Sequence, residues 1–122
     1  MADNKQYITQ SCDNGRILIS EDVIASITLH ALSEVDGFAG LTSKHSNDIV
    51  ELLNAKNWGK GIRVYISEKN DVSVECNVLV QYGCVIRTVA EAIQEAVLTA
   101  VNSVTGIQLL SVNVNICGIV RK

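Results

Sequence analysis

The segment from Val72 to Gly106 constrains the fold of this chain more than any other. Its first part alternates apolar and polar residues, and a period of two is typical of a strand with one buried face. After Gly83 the apolar residues recur at steps of three and four, which predicts one buried stripe along a helix that ends at Gly106. That stripe consists of Ile86, Val89, Ala90, Ile93, Val97, Ala100, Val101 and Val104. A strand followed by an amphipathic helix is the unit around which the other elements are placed.

The same two periods predict the remaining elements. Ser20 is a candidate N-cap, and Gly37 marks the end of the helix that follows it. The polar connection Lys69-Asn70-Asp71 predicts a hairpin between two alternating runs. In chain order we expect a strand at 17–19, a helix from 21 to about 35, a short helix at about 47–53, a loop at 56–61, strands at 62–67 and 72–83, a helix at 86–105 and a strand at 110–117.

This order of elements is that of a ferredoxin-like α+β sandwich, in which two helices cover one face of a four-stranded sheet. We expect residues 15–122 to form a single domain, because 122 residues suffice for one hydrophobic core. Residues 1–14 are predicted to be a flexible arm, in which Tyr7–Thr9 could add a short edge strand. The sheet face opposite the helices is predicted to be polar and open.

Composition restricts the possible functions. A net charge of −3 argues against broad binding to nucleic acid or to an anionic membrane. The polar N-terminus lacks the apolar run of a signal peptide, and no segment approaches the roughly 20 apolar residues of a membrane span. We therefore expect a cytoplasmic protein that does not insert into the membrane.

Catalytic and metal-binding patterns are not recognisable in the sequence. The four cysteines include no Cys-x-x-Cys pair, so free thiols and no metal site are predicted, with Cys76 as a small buried apolar residue. His30 and His45 are predicted to be solvated. Glu91 and Glu95 lie one helical turn apart but away from the apolar stripe, which favours a solvated face over an acid–base pair. We therefore predict no enzyme activity and no cofactor.

Two surfaces are candidates for interaction. On the first helix, Ala25, Leu29 and Leu32 form a second apolar stripe, nearly opposite the expected core stripe of Val23, Ile24, Ile27, Ala31 and Val35. A helix on a sheet has to bury only one side, so the second stripe either packs against a neighbouring segment or contacts a partner.

The second candidate surface is the open face of the sheet. Tyr65 and Leu79 are predicted to lie there among amides, and this face either contacts a partner or faces water. Single-stranded RNA requires several exposed aromatic residues for base stacking, and this face offers one aromatic residue beside the basic Arg63. Nucleic acid is therefore not an expected partner.

Several short motifs resemble those of the alkaline shock protein family, the envelope stress response proteins of Gram-positive bacteria. They are spread in matching order over about residues 15–120. The motifs are Gly15–Ile24, Val35–Gly40, Lys56–Val64, Val78–Gly83 with the helix after it, and Val112–Val114. The chain departs from the family in a more apolar stretch at 41–55 and in its four cysteines.

The resemblance implies a small cytoplasmic protein linked to alkaline and cell-envelope stress, with no established catalytic residue. It also implies self-association, and a peripheral position at the membrane through a partner protein. The function we predict is a non-enzymatic interaction or scaffold protein that acts through a homo-oligomer or a membrane-protein partner. The alternative is a small-molecule-binding regulatory domain, because ferredoxin-like folds often hold ligands at subunit interfaces.

Overall fold

A computed structural model of the chain describes residues 7–42 and 61–121. These residues form two helices and six strands, an α+β fold as predicted. The predicted short helix at about 47–53, His45, and all but the last residue of the predicted loop at 56–61 lie outside the described residues. The elements are β1 (Tyr7–Cys12), β2 (Gly15–Ser20), α1 (Glu21–Ser33), β3 (Phe38–Leu41), β4 (Ile62–Ile66), β5 (Val72–Gln81), α2 (Ile86–Thr105) and β6 (Ser111–Val120).

The strand β5 lies at the centre of a mixed four-stranded sheet. Strand β4 pairs antiparallel with its first half, with Arg63 opposite Glu75. Strand β3 pairs antiparallel with its second half, with Gly40 opposite Leu79. Along the other side β6 pairs in parallel with nearly the whole length of β5. The predicted hairpin between β4 and β5 is confirmed.

Strands β3 and β4 lie end to end beside β5, and Asn77 is the residue at which they meet. The backbone oxygen of Asn77 accepts a hydrogen bond from the amide of Thr42 (3.0 Å), and its amide donates to the oxygen of Gly61 (2.8 Å). One residue of the central strand therefore fixes the point where the chain leaves the sheet after β3 and the point where it returns before β4.

The predicted first strand forms as part of β2, but it does not join the main sheet, which corrects the sequence prediction. Strand β2 pairs antiparallel with β1 in a separate two-stranded sheet. The fourth strand of the main sheet is instead β3, whose four residues are too few to show a period. Strand β1 replaces most of the predicted flexible arm, since Ile8 is buried in the core.

The side chain of Asn70 joins this hairpin to the main sheet. Its Nδ2 donates to the backbone oxygen of Thr9 (3.1 Å), and its Oδ1 accepts from the amide of Thr9 (3.4 Å). Asn70 has a positive φ of 67°, a left-handed conformation that asparagine adopts more readily than most residues. The turn between β4 and β5 thereby acts as a clamp on β1.

The core lies between the sheet and one layer formed by both helices, as predicted. The inward face of β5 and the apolar stripe of α2 supply most of it. Ser20 caps α1 by accepting a hydrogen bond from the amide of Asp22 (2.9 Å), and Gly106 ends α2 with a φ of 77°. The buried residues of β5 and α2 on these faces are Val72, Val74, Cys76, Val78, Val80, Val89, Ile93, Val97 and Val101.

Candidate interaction surface

The sheet face opposite the helices carries a hydrogen-bonded frame of four side chains from three strands. The hydroxyl of Tyr65 in β4 donates to Oε1 of Glu75 in β5 (3.1 Å). The Nδ2 group of Asn115 in β6 donates to Oε2 of the same carboxylate (2.9 Å) and to Oδ1 of Asn77 (2.8 Å). Because each of these groups is held by a neighbour, the frame is a pre-organised polar surface.

Tyr65 and Leu79, the two residues predicted to stand out on this face, differ in exposure. Tyr65 is 41% exposed, so its ring is open to solvent while its hydroxyl is held in the frame. Leu79 is only 8% exposed, because the absence of a side chain at Gly118 in β6 lets the leucine lie close to that strand. The structure therefore supports Tyr65 as a contact residue and corrects the expectation for Leu79.

The other predicted surface, the second stripe of α1, lies inside the domain. Ala25 and Leu32 are buried, and Leu29 is half-buried against the core. The reason is that α1 contacts β2, β3 and β4 as well as α2, so more than one side of the helix is covered. Of the two interpretations left open by the sequence, packing within the domain is the one observed. Val23, which was assigned to the core stripe, is instead exposed.

The free edge of β6 is a further feature of this surface, and the sequence analysis did not identify it. Strand β6 pairs with β5 alone within residues 7–42 and 61–121, so its other edge has no strand beside it there. Its ten residues contain no charge and no proline. Alternation revealed the strand, but only the pairing pattern shows that it lies at an edge.

An open groove lies between the two helices on the far side of the domain. Its volume is about 440 Å³, and its lining combines small apolar residues with carboxylates. The lining residues are His30, Ala31, Glu34, Val35, Glu95, Ala96, Thr99 and Ala100. His30 is exposed, as predicted, and lies 3.2 Å from the carboxylate of Glu34.

The cysteines fall into two environments. Cys12 and Cys117 are exposed, whereas Cys76 is fully buried on the inward face of β5, as predicted. Burial, reinforced by the nearby negative charge of Glu75, raises the pKa of the Cys76 thiol from 9.0 to about 12. At neutral pH this thiol is therefore protonated and behaves as an apolar core side chain.

The described residues bring together no group of three or more potential metal ligands. Neither α1 nor α2 is both long and apolar enough to cross a bilayer. Glu91 is exposed and pairs with Arg87 one turn away (3.0 Å), and Glu95 is exposed as well, in agreement with the prediction of a solvated helix face.

The fold and this surface define a small two-layer α+β domain with a polar sheet face. By its sequence the chain belongs to the alkaline shock protein family: the family model, described as having a cell envelope-related function, matches residues 9–121. This confirms the resemblance seen in the sequence.

Two curated relatives illustrate the family. The uncharacterized protein YqhY of Bacillus subtilis is 30% identical over 105 residues, which cover 86% of this chain and 77% of that protein. A stress response regulator gls24 homolog of Streptococcus pyogenes is 26% identical over 113 residues, covering 92% of this chain and 63% of that protein. Neither these names nor the family description refers to an enzyme.

Among solved structures, a MamM CTD covers 80% of this chain and 94% of its own, with a TM-score of 0.47 at 19% identity. A similarity at that level does not define the fold, which rests on the strand pairings described above.

Proposed function

We propose that this protein is a non-enzymatic interaction module of the cell-envelope stress response. It acts in the cytoplasm, or at the membrane through a partner protein, and uses the sheet face opposite the helices. The family's cell envelope-related function supports the cellular role. The observation that carries the proposal is the exposed ring of Tyr65, which is held in place by its hydrogen bond to Glu75.

A fixed aromatic ring is a favourable contact residue for a physical reason. Binding usually costs conformational entropy, because a mobile side chain has to be ordered when the partner arrives. The Tyr65 hydroxyl is already held on the sheet, so its ring offers apolar area at little further cost. The surrounding amides of Asn77 and Asn115 are paired with one another, which limits the desolvation cost at the rim.

Affinity capture from the soluble and membrane fractions of the native host tests this proposal. We expect the wild-type chain to recover a stoichiometric partner, and Tyr65→Ala to lose it while keeping the wild-type circular dichroism spectrum. Tyr82→Ala is the matched control, since Tyr82 is also exposed but lies outside the frame. Equal recovery by all three proteins would exclude the sheet face as the contact surface. Recovery of the chain alone, from the soluble fraction, would exclude the membrane-partner role.

The groove between α1 and α2 favours a second candidate function, a regulatory domain that binds a small molecule. Small side chains at Ala96 and Ala100 leave the groove open, and the carboxylates of Glu34 and Glu95 would select a cationic or hydroxylated ligand. A thermal shift screen tests this function, because a ligand that binds only the native state raises the melting temperature. A true ligand should lose its effect in Ala100→Leu, which fills the groove.

A further inference from the structure

The outer edge of β6 differs from most strand edges because nothing in its sequence blocks pairing. Natural proteins usually protect such edges with charged residues, proline or very short strands. Strand β6 runs for ten residues, Ser111–Val120, with none of these protections apart from one register shift against β5 near Ile116. An edge of this length and composition is a template for another strand.

The hydrogen-bond pattern shows which residues of β6 face outward. Asn77 bonds to the β3 and β4 side of β5, so its neighbours in β5 bond to β6. Together with the observed register, this alternation turns Val112, Val114 and Ile116 away from β5. The side chain of Gln94 agrees with this assignment, since its Nε2 donates to the outward oxygen of Val112 (3.1 Å). Val114 and Ile116 thus present their amides and carbonyls along the free edge.

We infer that β6 pairs antiparallel with β6 of a second copy of this chain. Gln94 limits the free edge at one end and the register shift limits it at the other, so the two-fold axis falls at Asn115. Val114 then exchanges both backbone hydrogen bonds with Ile116 of the second copy. Two four-stranded sheets become one continuous sheet, and the half-buried Val114 and Ile116 gain cover on the helix side.

Charge favours a second copy as the occupant. Each chain carries a net charge of −3, so most contacts between copies would bring like charges together. Strand β6 has no formal charge, and the two strands would meet through amides and aliphatic side chains. A two-fold interface needs a self-complementary surface, and an uncharged strand paired with its own copy meets this requirement. This inference names one partner for the proposed function and rests on that function.

Sedimentation equilibrium of the full chain tests the pairing. We expect a species of twice the 13.2 kDa chain mass, and its conversion to monomer in Val114→Pro. Proline removes the outward amide of Val114 without removing a bond to β5. Leu18→Lys is the matched control: Leu18 is an exposed apolar residue of the other sheet, so this variant should remain dimeric.

Hydrogen exchange of the wild-type protein gives a second readout that does not depend on how Val114→Pro folds. The amides of Val114 and Ile116 should exchange more slowly as protein concentration rises, at least tenfold between a mostly monomeric and a mostly dimeric sample. A monomer at all concentrations, or rapid exchange of both amides in a dimer, would overturn the inference. A monomer that still captures a partner through Tyr65 would overturn this inference and leave the proposed function standing.

Discussion

The buried thiol of Cys76 should make the stability of this protein fall at alkaline pH. Its pKa is about 12 in the folded chain and 9.0 for the model thiol of an unfolded chain. The folded-state pKa is the raised one, so the stabilising contribution is fully present below pH 9 and is lost as the pH rises towards 12. A difference of three pH units corresponds to about 4 kcal/mol, of which about 2 kcal/mol is lost between pH 9 and 11.

Urea unfolding of wild type and Cys76→Ala at pH 7, 9, 10 and 11 measures this contribution. The variant should be less stable at pH 7, because a small cavity remains in the core. Between pH 9 and 11, however, the wild type should lose about 2 kcal/mol more than the variant. Cys117→Ala, which removes an exposed thiol, should keep the wild-type slope. Parallel curves for wild type and Cys76→Ala would refute the reasoning.

Two further substitutions test how the sheets are joined. Asn70→Gly keeps the left-handed turn but removes both bonds to Thr9, so we expect a loss of about 1 kcal/mol and faster hydrogen exchange in β1 and β2; unchanged exchange would show that the clamp is not needed. Gly61→Ala would place a Cβ atom 2.7 Å from that of Leu41, so chemical denaturation should show a loss of about 1–3 kcal/mol. Gly118→Ala should cost less, since its Cβ would meet the end of a flexible side chain; equal losses would contradict the argument.

Much of the fold could be predicted because long elements carry long periods. The strand and helix between Val72 and Gly106 repeat their apolar spacing often enough to fix both type and direction of burial. The caps at Ser20 and Gly106 were predictable for a different reason, since each depends on one local hydrogen bond or one backbone angle. Strand β3 was missed because four residues, one of them Gly40, show no period.

The candidate surface was harder to predict because burial depends on neighbours distant in sequence. Leu79 alternates onto the open face as expected, but Gly118, 39 positions later, lets it pack against β6. Ala25 and Leu32 look like a spare stripe until α1 is seen to contact three strands and α2. Tyr65 was identified correctly as exposed, while its bond to Glu75 depended on a register that the sequence does not contain.

The meeting of β3 and β4 at Asn77 has a consequence for how such chains can diverge. Both ends of the connecting segment are fastened to the same residue of the central strand, so its length is independent of the sheet register. The entropic cost of closing a longer connection grows only with the logarithm of its length. Insertions and deletions between Thr42 and Gly61 can therefore accumulate without disturbing the core, which makes this position a natural site for lineage-specific additions and for grafting a foreign sequence.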